Sequence, residues 1–236
     1  MEASREPALL FDLDGTLVDS VYQHVLAWRT ALEAAGLDLP TWRIHRRVGM
    51  SAGLMVNALA REMGREFSAE EGAALQAAHA RTFRELAPHV RPLPGAITLL
   101  HELSERGVPW AIATSGSRST AGPNLGKLEV PASVPVITRD EVPFAKPDPD
   151  LFLAAAARLG VAITNCVVVG DSIWDMLAAR RAHALGVGLL SGGYGQDELE
   201  RTGAYRVYSD PADLLRHIDE VGVRNAAVVA SDDQGI

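Results

Sequence analysis

The sequence predicts an α/β fold: a parallel sheet covered on both faces, with an all-helical insertion after the first strand. Three observations carry that reading. Short apolar runs rich in Val, Ile, Leu or Ala recur at residues 8–12, 109–114, 134–138, 166–170 and 186–190, each bounded by Gly, Pro, Asp or Ser. Helical patterns alternate with the later runs. Between the first run and the second the alternation fails, and every recognisable element there is helical.

The first strand, residues 8–12, is apolar through "ALLF" and meets Asp12 at its tip, as suits a strand buried on both faces. The insertion follows. Residues 21–36 place apolar side chains at helical spacing and end in Gly36, which suits a helix C-terminus. Residues 52–63 read as a second helix. Residues 69–86 begin after Ser68 with Glu71 three positions on, the spacing of a capping box. The segment "HVRPLPG" (89–95) carries two prolines and reads as the return linker. Helices are then expected at 95–106, 117–127, 149–159 and 173–184, between the remaining strands. The tail from about residue 223 is expected to fray at its end. The predicted division is a core of 1–18 and 93–236 with a helical insertion of 19–92.

Composition bounds the function. Of 236 residues, 47% are hydrophobic and 22% charged, as in a globular protein with ample core material. The net charge of -8 argues against a nucleic-acid surface, which needs clustered Lys and Arg. No signal peptide and no apolar run long enough to cross a membrane is found, so a cytoplasmic protein without a membrane partner is expected. The lone cysteine, Cys166, sits in an apolar run and reads as a small core residue. Trp28, Trp42, Trp110 and Trp174 read as packing residues.

The chemistry lies at the carboxyl ends of the strands, where open parallel sheets place their ligands. In "LLFDLDGTLVDS" (9–20), Asp12 and Asp14 are two apart and so point the same way from the strand tip. In "GDSIWDM", Asp171 ends a strand and Asp175 lies one helical turn on. If those strands are neighbours, four carboxylates converge, and a cation is needed to hold them together. Oxygen ligands and an open site suggest Mg²⁺, which usually meets a substrate phosphate. Thr114, Ser115 and Gly116 offer hydroxyls and N–H groups to phosphate oxygens where a turn enters a helix. Lys146 precedes Pro147, which restrains the backbone and aims the amine at negative charge.

In order and separation, "DLDGT", "TSG", "K-P-x-P-x-x-F" and "GDSxxD" resemble the motifs of the haloacid dehalogenase superfamily, near its phosphoglycolate-phosphatase and beta-phosphoglucomutase-like branches. The resemblance spans the whole core and implies a Rossmann-like sheet with a helical cap. It implies a hydrolase that acts on small phosphomonoesters, a sugar phosphate or a phosphoglycolate-like compound, through an aspartyl-phosphate. Asp12 would be the nucleophile and Asp14 the general acid and base. Asp12, the Asp14 carbonyl and Asp171 would hold Mg²⁺; Thr114, Ser115 and Lys146 would bind the phosphoryl group; Asp175 would orient Lys146 or a metal-bound water. The dehalogenating members need no acid at position 14, so its presence favours phosphoryl transfer.

In the insertion, His24 is a candidate substrate or hinge contact, since a similarly placed His touches the catalytic acid in the sugar-phosphate branch. Arg47, with Arg46, lies in "WRIHRRVGMS" (42–51), which resembles the cap loop that reads the leaving group. His79 stands near where mutase-like members carry a cap lysine. That departure, with Ala52 in place of an Arg and Gly170 in place of an acidic residue, counts against the rival phosphomutase reading. A receiver-type signalling module is about half this length and lacks a cap. A silent binding protein would have lost a motif residue, and none is lost. The Gly-rich "LLSGGYGQDEL" (189–199) lacks the Lys-Ser/Thr of a nucleotide loop. A monomer or weak dimer is expected, with a small phosphorylated metabolite as its partner.

Overall fold

The structure is a computed structural model that describes residues 7–223; the predicted frayed tail beyond them lies outside the described residues. The core holds β1 (Ala8–Phe11), α5 (Ala96–Glu105), β4 (Trp110–Ala113), α6 (Arg118–Leu125), β5 (Val136–Ile137), α7 (Asp150–Leu159), β6 (Cys166–Gly170), α8 (Ile173–Ala182), β7 (Leu185–Leu189), α9 (Gln196–Thr202), β8 (Ala204–Tyr208) and α10 (Pro211–Arg216). Between β1 and α5 come β2 (Val18–Asp19), α1 (Val21–Ala34), α2 (Thr41–His45), α3 (Ala52–Glu62), α4 (Ala69–Leu86) and β3 (Arg91–Pro92).

Six strands form one sheet in the order β5-β4-β1-β6-β7-β8, all parallel. The chain leaves β1 toward β4 and β5, then returns to place β6 on the other side of β1. The crevice at the tips of β1 and β6 is therefore the topological switch point. Alternate residues of the central strands feed two cores. Leu9, Phe11, Val167 and Val169 pack with Leu99, Leu103 and Leu214 of α5 and α10. Leu10, Cys166 and Val168 pack with Phe152, Ala155 and Ala178 of α7 and α8. Both faces are covered, so these strands read as continuous apolar runs.

The helices between β2 and β3 pack on one another. Val25, Trp28 and Leu32 of α1 meet Ile44, Met55, Leu59 and Leu75 in a cluster separate from the sheet's own. Ser68 and Glu71 make the expected reciprocal cap at the start of α4. β2 and β3 pair antiparallel, Val18 with Pro92 and Asp19 with Arg91, so the chain leaves and re-enters the core through a narrow neck. No helix of the described residues is long and apolar enough to cross a membrane.

Several elements differ from expectation. α2 forms inside the segment read as a loop, and α9 inside the Gly-rich segment. β8, "AYRVY", is an edge strand with exposed residues, so it lacks the apolar run that marks its neighbours. Trp42 is no packing residue; it is 63% exposed on α2.

Candidate active site

Asp12 extends β1 by one residue, its N–H still bound to the Val169 carbonyl at 2.9 Å. The chain then turns. Gly15 has φ +93°, and its N–H closes the turn on the Val18 carbonyl at 2.8 Å. A Cβ at Gly15 would lie 2.5 Å from Asp171 Oδ2, so the turn admits no side chain. The β6 tip delivers Asp171, and Ser172 caps α8 by a reciprocal exchange with Asp175.

Oxygens of Asp12, Asp171 and Asp175 lie within 4.8 Å of one another, all buried. Lys146, only 1% exposed, reaches this cluster from the loop after β5. It donates to Asp12 Oδ1 and pairs with Asp175 Oδ1 at 2.8 Å. Burial disfavours its charge, but Asp12 and then Asp175 outweigh it and hold the ammonium well above the usual lysine range. Burial pushes the Asp12 carboxyl up to about 7 despite Lys146, with Asp175 and Asp14 adding to the rise. Burial, then Asp175 and Asp12, also drives Asp171 well upward, although Thr16 Oγ1 donates to its Oδ1 at 2.8 Å. Three carboxylates thus face one ammonium.

That excess of buried negative charge fits a divalent cation, and the all-oxygen donor set fits a hard one such as Mg²⁺. Asp175 is already committed, Oδ1 to Lys146 and Oδ2 to the Ser172 N–H and hydroxyl. Asp12 and Asp171 each accept from a side chain at Oδ1, and among the described residues none donates to their Oδ2.

Asp14 turns away from the cluster. Its Oδ1 accepts from Ser20 Oγ at 2.7 Å and from Asn124 Nδ2 at 2.9 Å, with His24 Nε2 at 3.4 Å. Burial would raise its pKa, but His24 first, then Ser20 and Asn124, bring it below the usual value. The two carboxylates of one strand tip therefore sit in opposite environments. His24 Nδ1 in turn meets His79 Nε2 at 3.1 Å, and the His24 ring stacks on Phe83. Burial, then His24, keeps His79 well below the usual histidine range, so it is neutral.

A cavity of about 490 Å³ opens over Asp12 and Asp14 between the core and the helical insertion. Thr114 and Ser115, at the tip of β4, line it; the Gly116 N–H donates to Thr114 Oγ1 at 3.0 Å, and Ser115 Oγ is buried without a partner among the described residues. An orphaned buried hydroxyl facing a cavity is what a phosphate oxygen would satisfy. His24 and His79 also line it.

Arg47 does not. Its Nη2 donates to Glu62 at 2.5 Å, and Arg46 pairs with Glu198 of α9. The basic turn is instead a contact between insertion and core: His45 Nε2 meets the Gly192 carbonyl at 2.9 Å, and Tyr194 donates to the Arg46 carbonyl at 3.1 Å. The reading of a leaving group by Arg46 or Arg47 is left as an expectation; what the structure gives these side chains is carboxylate partners within the chain. Both arginines meet carboxylates of the chain itself, and Arg47 Nε is buried without a partner among the described residues.

Sequence reasoning missed Ser20, Asn124, Thr16 and the cavity-lining Arg139. Ser20 and Thr16 flank the first motif and were findable there. Asn124, in "AGPNL", falls within the helix expected at 117–127 and carries no signal of its own.

Residues 7–183 match the family model of the haloacid dehalogenase-like hydrolases. The chain is 34% identical over 177 residues to hexitol phosphatase A of Escherichia coli, covering 73% of this chain and 78% of that one. It is 33% identical over 189 residues to a phosphoglycolate phosphatase of Agrobacterium fabrum, covering 79% and 81%. Its structure is similar to the crystal structure of a hydrolase from Pseudomonas syringae, with TM-score 0.90 and 52% identity over 92% of this chain and 100% of that one. A beta-phosphoglucomutase-like structure from Bacteroides vulgatus, at TM-score 0.83 and 23% identity over 93% and 90%, shares the fold.

Proposed function

The chain belongs to the haloacid dehalogenase-like hydrolases, and from that premise we propose that it hydrolyses small phosphomonoesters through a phosphorylated Asp12. One observation carries the reading: two carboxylates at one strand tip are held in opposite environments, one against an ammonium and two carboxylates, the other against neutral donors and a histidine. A displacement at phosphorus needs that division of labour, a nucleophile on one side and a proton carrier on the other.

Asp12 attacks phosphorus, and the ester oxygen departs with a proton from Asp14. Water then attacks the same phosphorus, gives its proton to Asp14, and frees Asp12 and inorganic phosphate. Lys146 holds the transferring group and screens Asp12 from it, while Asp175 fixes the lysine. Thr114, Ser115 and the N–H groups of their turn take the remaining phosphoryl oxygens. Asp12, the Asp14 carbonyl and Asp171 would hold Mg²⁺, which when bound neutralises charge between the anionic nucleophile and the anionic ester.

Residues 19–92 act as the cap over this site, and the cavity's size favours a small leaving group such as a sugar or glycolate. Relatives that are named phosphatases of hexitols, phosphoglycolate and fructose 1-phosphate support that class. The phosphomutase reading is disfavoured at Gly170, where a Cβ would lie 2.3 Å from the Asp175 Cβ and an acidic side chain has no room.

The test is phosphate release from a panel of small esters, with and without Mg²⁺, beside Asp12→Asn. Metal-dependent release that vanishes in the variant is expected. Isomerisation of a hexose 1-phosphate without release would replace this reading by the mutase, and silence toward every ester would remove it.

A further inference from the structure

We propose that Asn124 is a positioning residue for proton transfer: it binds one oxygen of Asp14 and so commits the other to the leaving group. The inference rests on the phosphomonoesterase reading above and extends it to a residue outside the four motifs.

A carboxylate has two equivalent ends, and a half-turn about its last bond exchanges them. At Asp14 that equivalence is broken. Ser20 Oγ, Asn124 Nδ2 and His24 Nε2 all converge on Oδ1, at 2.7, 2.9 and 3.4 Å. Among the described residues no such donor meets Oδ2. The three donors come from different places: Ser20 at the start of α1, His24 one turn further along it, and Asn124 from α6 in the core. An oxygen that accepts from three directions has no lone pair to spare for a proton, so whenever Asp14 carries a proton it carries it on Oδ2.

The chemistry of Asn124 itself argues that packing is not its purpose. It is fully buried, and among the described residues its amide oxygen has no hydrogen-bond partner. A buried unpaired amide oxygen is unfavourable, and a leucine of similar volume would avoid it. What asparagine supplies and leucine does not is the Nδ2 donor toward Asp14. Ser20 shows the same preference. It precedes α1 at the capping position, yet its hydroxyl donates to Asp14 and makes no cap bond.

The consequence is specific to one bond. As the bond from Asp12 to phosphorus forms and the ester P–O bond breaks, the proton on Asp14 Oδ2 moves to the departing oxygen. As water attacks and the Asp12–phosphorus bond breaks, a water proton returns to Oδ2. An alkoxide needs that proton when it leaves. A p-nitrophenolate does not. Loosening Asp14 therefore penalises alkyl esters and spares aryl ones in kcat/KM, which reports the first cleavage.

The experiment compares kcat/KM of wild type and Asn124→Leu on glycerol 1-phosphate, or the best alkyl ester of the panel, and on p-nitrophenyl phosphate. The expected result is a loss of about tenfold on the alkyl ester and less than about twofold on the aryl ester. Ser20→Ala, a smaller change that deletes another donor to the same oxygen, is expected to move the ratio the same way. Should Asn124→Leu fail to fold, Asn124→Ser takes its place. Equal losses on both esters, the mark of a merely structural role, overturn the proposal, as does no loss on either. Wild-type protein that cleaves neither ester overturns the phosphomonoesterase reading, and this inference with it.

Discussion

Replacing Lys146 by methionine keeps most of the side chain's volume and deletes the ammonium that faces three buried carboxylates. At 2.8 Å from Asp175 and an effective dielectric near 20, the attraction of that pair alone is about 6 kcal/mol before desolvation is charged against it. Removing one partner of a buried pair typically costs ~3–5 kcal/mol, because the other is left uncompensated. Lys146→Met is therefore expected to lose about 3–5 kcal/mol in metal-free urea unfolding at pH 7.5. Asp175→Asn alone should cost less, since the amide still meets Ser172. The double variant should be less destabilised than the sum of the two by ~1–3 kcal/mol, because once the lysine is gone the Asp175 charge is a liability. Additivity within about 0.5 kcal/mol would refute the claim that these groups form one electrostatic unit. A changed m-value in Lys146→Met would instead mark a broken native state and require the cycle to be run on Lys146→Ala.

Gly170→Ala should cost ~1–3 kcal/mol and at least tenfold in activity, because the new Cβ meets Asp175 and tilts the carboxylate that holds Lys146; a variant as stable and active as wild type would refute the close approach. His79 is buried and neutral, with a pKa well below its ordinary 6.5, so the unfolded chain takes up its proton first. Its stability contribution is present above about pH 6.5 and is lost as pH falls below that value, by up to ~1.4 kcal/mol per unit. Because Asp12 and Asp171 titrate with the opposite sign, the readout is the difference between wild type and His79→Gln from pH 7.5 to 5.5, which should shrink on acidification; a constant difference would refute the buried neutral histidine. Arg46 and Glu198 are about a third and two-fifths exposed, so Arg46→Ala should cost only ~0.2–1 kcal/mol in unfolding, and a loss above about 2 kcal/mol would show that the contact carries more than a surface ion pair.

The sheet and the carboxylate cluster were legible because each central strand is apolar on both faces and ends abruptly in a carboxylate or hydroxyl. "CVVVG" followed by Asp171 states both the strand and its tip. The inserted helices were legible from periodicity and from the Ser68–Glu71 cap. What was hidden is what depends on contacts across the chain. The partners of Asp14 at Asn124 and of Asp171 at Thr16 are 110 and 155 positions away in sequence. The carboxylates that meet Arg46 and Arg47, Glu198 and Glu62, lie 152 and 15 positions away, so neither pair shows in the local sequence. β8 escaped notice because an edge strand with one wet face carries no continuous apolar run.

The neck formed by β2 and β3 has a consequence beyond this molecule's own catalysis. Two residue pairs, Val18 with Pro92 and Asp19 with Arg91, close this neck on itself, and the chain crosses there side by side, out and back. Any segment whose ends lie one strand spacing apart can be spliced at that point without disturbing the register of the six parallel strands. The core then keeps Asp12, Lys146, Asp171 and Asp175, and a splice that retains Ser20 and His24 also keeps the groups that meet Asp14 and leaves the rest of the insertion to vary. A transplant of residues 20–90 between relatives becomes a rational way to move a substrate preference from one chain to another.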